Sequence, residues 1–263
     1  MRLWLRCCLV VYCLEVAAVV VAAAAGEISP ADKRSGLDFV SPETRRLQED
    51  DTSNPGMLWV LDGERLWREP AGAAGAACAG CHGEAAASMR GVAARYPAFD
   101  PAAGRPIDLQ GRVNDCRSQR QGAQPFAFES QELLALTAFI AQQSRGLPVA
   151  EPRDARLRPF IDNGRRLFRQ RLGQLDIACA DCHDDRWGER LSGSLIPQAH
   201  PTAYPLYRLE WQALGSLQRR LRNCMIGVRA EPFAFGAPEL VDLELFLMQR
   251  AAGLPMETPG VRP

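Results

Sequence analysis

Two copies of the pattern Cys-x-x-Cys-His are the residues whose types and spacing most clearly indicate chemistry. Cys78-Ala-Gly-Cys81-His82 stands 101 residues before Cys179-Ala-Asp-Cys182-His183. In this pattern the two thiols attach covalently to a haem, and the adjacent imidazole binds its iron. A zinc site or a thioredoxin-like dithiol could also use such cysteines, but the repetition of the whole motif favours haem. We therefore predict two covalently bound haems c, with His82 and His183 as iron ligands.

Each haem iron also needs a ligand on its other side. The remaining histidine is His200, and the methionines of the predicted mature chain are Met57, Met89, Met225, Met248 and Met256. None of these recurs at matching places in the two similar halves of the sequence, whereas Cys116 and Cys224 do, and thiolate is an established axial ligand. We predict His82 with Cys116 on the first iron and His183 with Cys224 on the second. A disulfide between Cys116 and Cys224 is the alternative in an exported protein.

Arginines surround the second of these cysteines. If the segment is helical, Arg220 lies one turn before Cys224 and shares its face. A cation there would favour the thiolate form of the sulfur and could bind an anionic substrate. The alternative is that the arginines bind haem propionates or solvent, and Arg112 stands in the same place relative to Cys116.

An internal repeat must position these groups. Three pairs of segments match, namely 62–67 with 163–168, 109–116 with 217–224, and 125–128 with 232–235. Closing helices are predicted at 132–145 and 239–250 from apolar residues at helical spacing. Both helices precede Gly-Leu-Pro, in which the glycine is placed as a cap. No alternating run predicts a sheet.

The predicted fold class is mainly α, with two tandem class I cytochrome c-like domains preceded by an irregular N-terminal arm. The arm comprises residues 26–55, the first domain 56–150 with haem 1, and the second domain 151–263 with haem 2 and the active site. A Pro- and Arg-rich connector, residues 151–159, begins the second domain.

Residues 1–25 are predicted to be a secretory signal peptide. Arg2 and Arg6 precede an apolar run, and Ala23-Ala24-Ala25 provides a small-residue cleavage site. An uncleaved membrane anchor is the alternative, but Glu15 interrupts a run that is already short for spanning. Export agrees with the haem motifs, because bacterial c-type haem attachment takes place outside the cytoplasm. A periplasmic location without stable membrane insertion is expected.

Length and composition allow one large or two small globular domains. The chain has 263 residues, of which 47% are hydrophobic and 24% charged. The 31 basic residues balance 31 acidic ones, so the formal charge provides no general attraction to nucleic acid.

The sequence resembles the SoxA family, the dihaem subunits of the SoxAX cytochromes of bacterial thiosulfate oxidation. Beside the two haem motifs, the resemblance is carried by segments 48–56, 63–67, 223–232 and 253–263. The stretch from Cys224 to Pro232, Cys-Met-x-x-x-Arg-Ala-Glu-Pro, is highly specific. Some members have lost the first haem, but this chain retains the attachment residues for both.

The resemblance implies L-cysteine S-thiosulfotransferase activity, in which thiosulfate is oxidatively coupled to a cysteine of the carrier protein SoxYZ. Cys224 would be the active cysteine, carried as a persulfide, and also the ligand of the second haem. Arg220 would bind the substrate. The chain would form a heterodimer with a monohaem SoxX-type cytochrome c, and electrons would pass through SoxX to a soluble cytochrome c.

Two rival functions need no reactive sulfur on Cys224. A plain periplasmic dihaem electron carrier would lack an anion site. A dihaem cytochrome c peroxidase would need an open or histidine-ligated haem, and the chain is short of histidines.

Overall fold

The computed structural model describes residues 28–263 and is mainly helical, as predicted. The helices are α1 Pro42–Glu49, α2 Met57–Arg68, α3 Cys78–His82, α4 Ala85–Ser88, α5 Leu109–Cys116, α6 Gln131–Gln142, α7 Arg158–Arg169, α8 Cys179–His183, α9 Leu217–Gly227 and α10 Pro238–Arg250. A π-helical turn, Arg117–Gln121, continues α5. The closing helices α6 and α10 lie where the apolar spacing placed them, although α6 ends three residues earlier than predicted.

Two crossed helix pairs form the frame of the molecule. Helix α2 packs against α6, and helix α7 packs against α10. At each crossing the helices approach at a glycine, Gly63 or Gly164, where an added Cβ would lie 2.1 Å from a backbone carbonyl oxygen of the partner helix. The aromatic residue four positions later, Trp67 or Phe168, is buried in the same packing layer. These glycines therefore set the distance between the paired helices.

Short strands are present, although no alternating pattern predicted them. They are β1 Ala98–Asp100, β2 Arg105–Ile107, β3 Arg190–Leu191, β4 Ser194–Leu195, β5 Leu206–Arg208, β6 Ala213–Gly215 and β7 Gly260–Arg262. Strands β1 and β2 form one hairpin, β3 and β4 another, and β5 lies between β6 and β7 in a three-stranded sheet. The expectation of no sheet was wrong, because two or three residues are too few for alternation to be visible.

The N-terminal arm was predicted to be irregular, but it contains helix α1. The local sequence explains why a helix forms there. Ser41 caps α1, its hydroxyl accepting a hydrogen bond from Thr44 N at 3.2 Å, and Pro42 occupies the first helical turn. The arm is held by the C-terminal end of the chain. Asn54 donates a hydrogen bond to the Pro259 carbonyl at 2.9 Å, and the Val261 amide donates one to Gln48 at 2.9 Å.

The two halves of the chain contact each other through corresponding segments. Residues 146–149 pair with residues 253–256, with the Val149 amide donating to the Leu254 carbonyl at 2.8 Å. Gly146 and Gly253 both have positive φ, 79° and 90°, as expected for the glycine after a helix. Phe128 stacks on Phe235 with ring centroids 6.2 Å apart. The halves are therefore joined by backbone hydrogen bonds and ring stacking as well as by the connector.

The predicted signal peptide, residues 1–25, lies outside the described residues. Among residues 28–263, no helix has the length and apolar character needed to cross a membrane.

Candidate haem and anion site

Each Cys-x-x-Cys-His motif folds into one helical turn, α3 in the first half and α8 in the second. The turn brings both cysteines to one side and places the histidine next to a buried aromatic ring. The ring centroids of His82 and Trp67 are 5.6 Å apart, and those of His183 and Phe168 are 6.4 Å apart, both with an interplanar angle of 32°. The two motifs are thus held in the same way by the first helix of each half.

The second histidine has the form that an iron ligand requires. His183 Nδ1 lies 2.6 Å from the Pro197 carbonyl oxygen, and a carbonyl only accepts, so Nδ1 carries the proton and Nε2 keeps its lone pair. Burial lowers the pKa of His183 to about 4, against the opposing effect of that hydrogen bond, and the nearby charges of Arg220 and Arg250 lower it further. The imidazole is therefore neutral and oriented.

A cavity of about 210 Å³ brings the predicted groups of the first half together. Its lining includes Cys78, His82 and Cys116, and it also includes Arg112 and Met89. Met89 had no distinguishing position in the sequence, but in the structure it lines the same cavity as Cys116. The cavity therefore contains one attachment cysteine, the proximal histidine and two sulfur atoms suited to iron.

In the second half, helix α9 carries both Arg220 and Cys224, as the sequence predicted. Ser216 caps this helix, its hydroxyl accepting from the Arg219 amide at 3.1 Å. Burial acts to lower the pKa of Arg220, but the nearby Cys224, Tyr204 and Glu210 outweigh it, so the pKa is raised. Cys224 also lies near Cys179 of the haem motif, where its charge adds to burial in raising the Cys179 pKa. Cys224 is therefore near a haem-attachment cysteine and one helical turn from a guanidinium.

Cys116 and Cys224 do not form the alternative disulfide in the structure. Cys116 and Cys224 are both free, on helices of different halves. His200, the remaining histidine, is 8% exposed and its Nδ1 donates a hydrogen bond to the Arg34 carbonyl at 2.7 Å. Met248 and Met256 line a different cavity, between the halves.

Two further pairs of residues lie beside the arginines and were missed from the sequence. Tyr96 and Asp100 precede α5, and Tyr204 and Arg208 precede α9 at the same separation of 108 residues. Extending the offset of segments 109–116 and 217–224 upstream would have found them. This signal is weak, because only Tyr-Pro is identical between the two upstream segments.

The residues present fit haem c. The motif geometry supplies two thiols beside one imidazole in each half, the second imidazole is neutral with a free Nε2, and the lining of the first cavity includes the sulfur atoms of Cys116 and Met89. When bound, the haems would supply one-electron oxidation and reduction at iron.

Crossed terminal helices beside a Cys-x-x-Cys-His turn define the chain as a c-type cytochrome. The model of the SoxA/TsdA cytochrome c domain matches residues 62–149. The L-cysteine S-thiosulfotransferase subunit SoxA of Pseudaminobacter salicylatoxidans is 40% identical, over 93% of this chain and 86% of the relative. The subunit of the same name from Rhodovulum sulfidophilum is 36% identical, over 87% and 80%. The chain belongs to the SoxA family, which confirms the resemblance found in the sequence.

A solved structure agrees with this assignment. The crystal structure of SoxXA from P. pantotrophus matches with a TM-score of 0.84 and 32% identity, covering 87% of this chain and 86% of that one. The similarity therefore extends over both halves and is not limited to the domain matched by the family model.

Proposed function

We propose that this protein is the haem-bearing subunit of an L-cysteine S-thiosulfotransferase, oxidatively coupling thiosulfate to a cysteine of a SoxYZ carrier. The observation that carries the proposal is Arg220 facing Cys224. No carboxylate among residues 28–263 forms an ion pair with this partly buried guanidinium. A desolvated cation whose neighbours are a sulfur, a phenol and the largely exposed Glu210 carboxylate favours an anion as its missing partner.

The chemistry balances with two electrons released. The carrier thiolate and the thiosulfate dianion form one sulfur–sulfur bond. The product is a carrier S-thiosulfonate with one negative charge, and two electrons are released. If Cys224 carries a persulfide, its outer sulfur first bonds to thiosulfate as the two electrons leave. The carrier thiolate then attacks the sulfur bearing the sulfonate and releases the persulfide. Arg220 would offset the repulsion between these anions, and the covalent intermediate divides the coupling into two steps.

The haem ligands in this proposal are His82 with Cys116 and His183 with Cys224, on two haems attached at Cys78, Cys81, Cys179 and Cys182. The partner would be a SoxX-type monohaem cytochrome c in a heterodimer, which would pass electrons to a soluble cytochrome c. The complex would work in the periplasm, which covalent haem attachment and the predicted signal peptide both favour.

The two halves are proposed to be tandem cytochrome c-like domains, residues 56–150 and 151–263. Their hairpins support this. Ala98 pairs with Ile107 and Asp100 with Arg105, while Leu206 pairs with Gly215 and Arg208 with Ala213. Each residue of the second hairpin lies 108 positions after its counterpart, with the same register. The equivalent glycine crossings support the same conclusion.

The proposed ligands can be tested by spectroscopy. Because both irons would have one imidazole and one thiolate, we expect low-temperature EPR of the oxidised protein to show only low-spin signals of the thiolate type. Intact mass should show two attached haems. A methionine-to-iron charge-transfer band would contradict thiolate ligation of at least one haem, and its loss in Met89→Leu would assign that ligand to the first half.

The activity is tested by reconstitution with the SoxX-type partner and the SoxYZ carrier. We expect thiosulfate-dependent reduction of an acceptor cytochrome c, with the carrier cysteine gaining a thiosulfonate by mass. Arg220→Lys keeps the charge but loses the planar fork, so turnover should fall roughly ten- to a hundredfold, as for a lost charged hydrogen bond of about 1.5–3 kcal/mol.

Arg112→Lys in the first half is the matched control and should leave turnover per intact protein nearly unchanged. If both substitutions only loosen their own haems, Arg220 binds haem rather than substrate. Electron transfer through the haems with no thiosulfate-dependent turnover would instead identify the protein as a plain dihaem carrier.

A further inference from the structure

The surroundings of the two equivalent arginines differ in charge. In the first half, Arg112 lies 3.6 Å from Asp100 and 3.8 Å from Asp115. Although burial acts to lower it, the pKa of Arg112 is raised because Tyr96 and these two carboxylates face it. One guanidinium is therefore neutralised by two carboxylates within the protein. This arrangement has no need of an external anion.

In the second half, the positions equivalent to Asp100 and Asp115, 108 residues later, have no carboxylate. Arg208 stands in place of Asp100, and Asn223 in place of Asp115. Asp100 and Arg208 are also equivalent in the structure, since each ends the first strand of a hairpin of the same register. A change from acid to base at an equivalent position reverses the charge beside the arginine of α9.

Arg208 and Arg220 occupy positions equivalent to Asp100 and Arg112, whose side chains lie 3.6 Å apart, so two like charges face each other in the second half. The pKa of Arg208 is lowered, first by burial and next by the charge of Arg220. The Arg208 side chain is 14% exposed and its Nη2 donates to Glu210 at 2.9 Å, but that carboxylate is 64% exposed. The buried Nε of Arg208 has no hydrogen-bond partner within residues 28–263. Two guanidiniums thus share one exposed carboxylate, and a buried donor remains unsatisfied.

We propose that Arg208 is a second substrate-binding arginine, which together with Arg220 selects doubly charged sulfur oxyanions at Cys224. The inference rests on the proposed function and adds its charge selectivity. A dianion would pair with both guanidiniums and accept a hydrogen bond from the unsatisfied Nε of Arg208. A monoanion would neutralise only one of the two positive charges. The charge reversal from Asp100 to Arg208 would also direct substrate to the second haem site and not to the first.

The test compares variants of the assembled complex with the SoxX-type partner in thiosulfate-dependent turnover with the carrier. Arg208→Gln should raise the KM for thiosulfate about tenfold to a hundredfold, as expected when one charged hydrogen bond is lost, with smaller effect on kcat. Arg208→Lys should recover part of the loss because the charge remains. Haem content and visible spectra should match the unsubstituted protein, which excludes a merely structural effect.

Inhibition supplies a readout of charge selectivity. Sulfate, a dianion, should compete with thiosulfate in the unsubstituted complex more strongly than nitrate, and Arg208→Gln should reduce this difference. Asp100→Asn in the first half is the matched control and should leave the KM and the inhibition pattern unchanged.

The outcomes separate the two proposals. If Arg220→Lys impairs turnover but both Arg208 variants keep the original KM and inhibition pattern, Arg208 does not bind substrate and only this inference is overturned. If the unsubstituted complex shows no thiosulfate-dependent turnover, the proposed function is overturned and this inference with it.

Discussion

Replacing Cys224 by alanine is expected to abolish thiosulfate-dependent turnover. The substitution removes the sulfur that would hold the covalent intermediate, and enzymes that lose such a nucleophile commonly fall by about a thousandfold or more. The side chain is positioned for this role on α9, near Cys179 of the haem motif and one helical turn after Arg220. Turnover per assembled complex is the measurement, with haem content checked by intact mass.

The equivalent substitution in the first half provides the control. Cys116→Ala would change the ligand of the first haem and impair its stability or potential, but it should retain part of the thiosulfate-dependent turnover. The reverse result, with Cys116→Ala inactive and Cys224→Ala active, would assign the active site to the first half. That outcome would also contradict the argument from charge, since Arg112 is already neutralised by Asp100 and Asp115.

Sequence patterns predicted the parts of the fold that depend on local or repeated signals. The haem motifs are short helical turns because two cysteines and a histidine must face one group. The closing helices α6 and α10 were predicted because their apolar residues recur at helical spacing over several turns. Arg220 and Cys224 were placed on one helical face by a separation of four residues, and α9 contains both.

The parts that were missed depend on packing or on short local signals. Strands of three residues show no alternation, and β5 is held between β6 and β7 by contacts with the distant C-terminal segment. The capping of α1 by Ser41 involves one side chain in a polar stretch, which resembles a turn as much as a helix start. The antiparallel pairing of the two Gly-Leu-Pro segments joins residues more than 100 positions apart.

Only one of the two arginines of the proposed anion site was predicted, for the same reason. Arg220 was found because it lies on the same helix as Cys224. Arg208 lies on a strand twelve positions earlier, and only the turn back through β6 brings it near Arg220. Its counterpart in the repeat is an aspartate, so residue identity could not indicate the relationship. The offset of 108 residues relates the two positions in the sequence, and the equivalent hairpins establish that the charge changes at one place in the fold.

Gly164→Ala is expected to destabilise the protein strongly, although alanine is the better helix former by about 1 kcal/mol. A Cβ there would lie 2.1 Å from the Asp242 carbonyl oxygen and 2.7 Å from the Phe246 Cβ. The first contact is with backbone, which no side-chain rotation can relieve, so α7 and α10 must separate. Overpacking costs typically about 1–3 kcal/mol and occasionally more, and we expect a net loss of about 3 kcal/mol in the free energy of unfolding.

Denaturant unfolding of the haem-loaded protein measures this loss. Substitutions at two other glycines serve as controls for the effect of the close helix approach. Gly63→Ala meets the same obstacle, the Ala135 carbonyl oxygen at 2.1 Å, and should be destabilised similarly if the two crossings are built alike. At Gly227, near the end of α9, an added Cβ contacts nothing within 4 Å, so Gly227→Ala should be neutral or slightly stabilising. Equal stability of Gly164→Ala and Gly227→Ala would show that the glycine does not set the α7–α10 distance. In that case, the position of Phe168 against His183 would have to be fixed by other contacts.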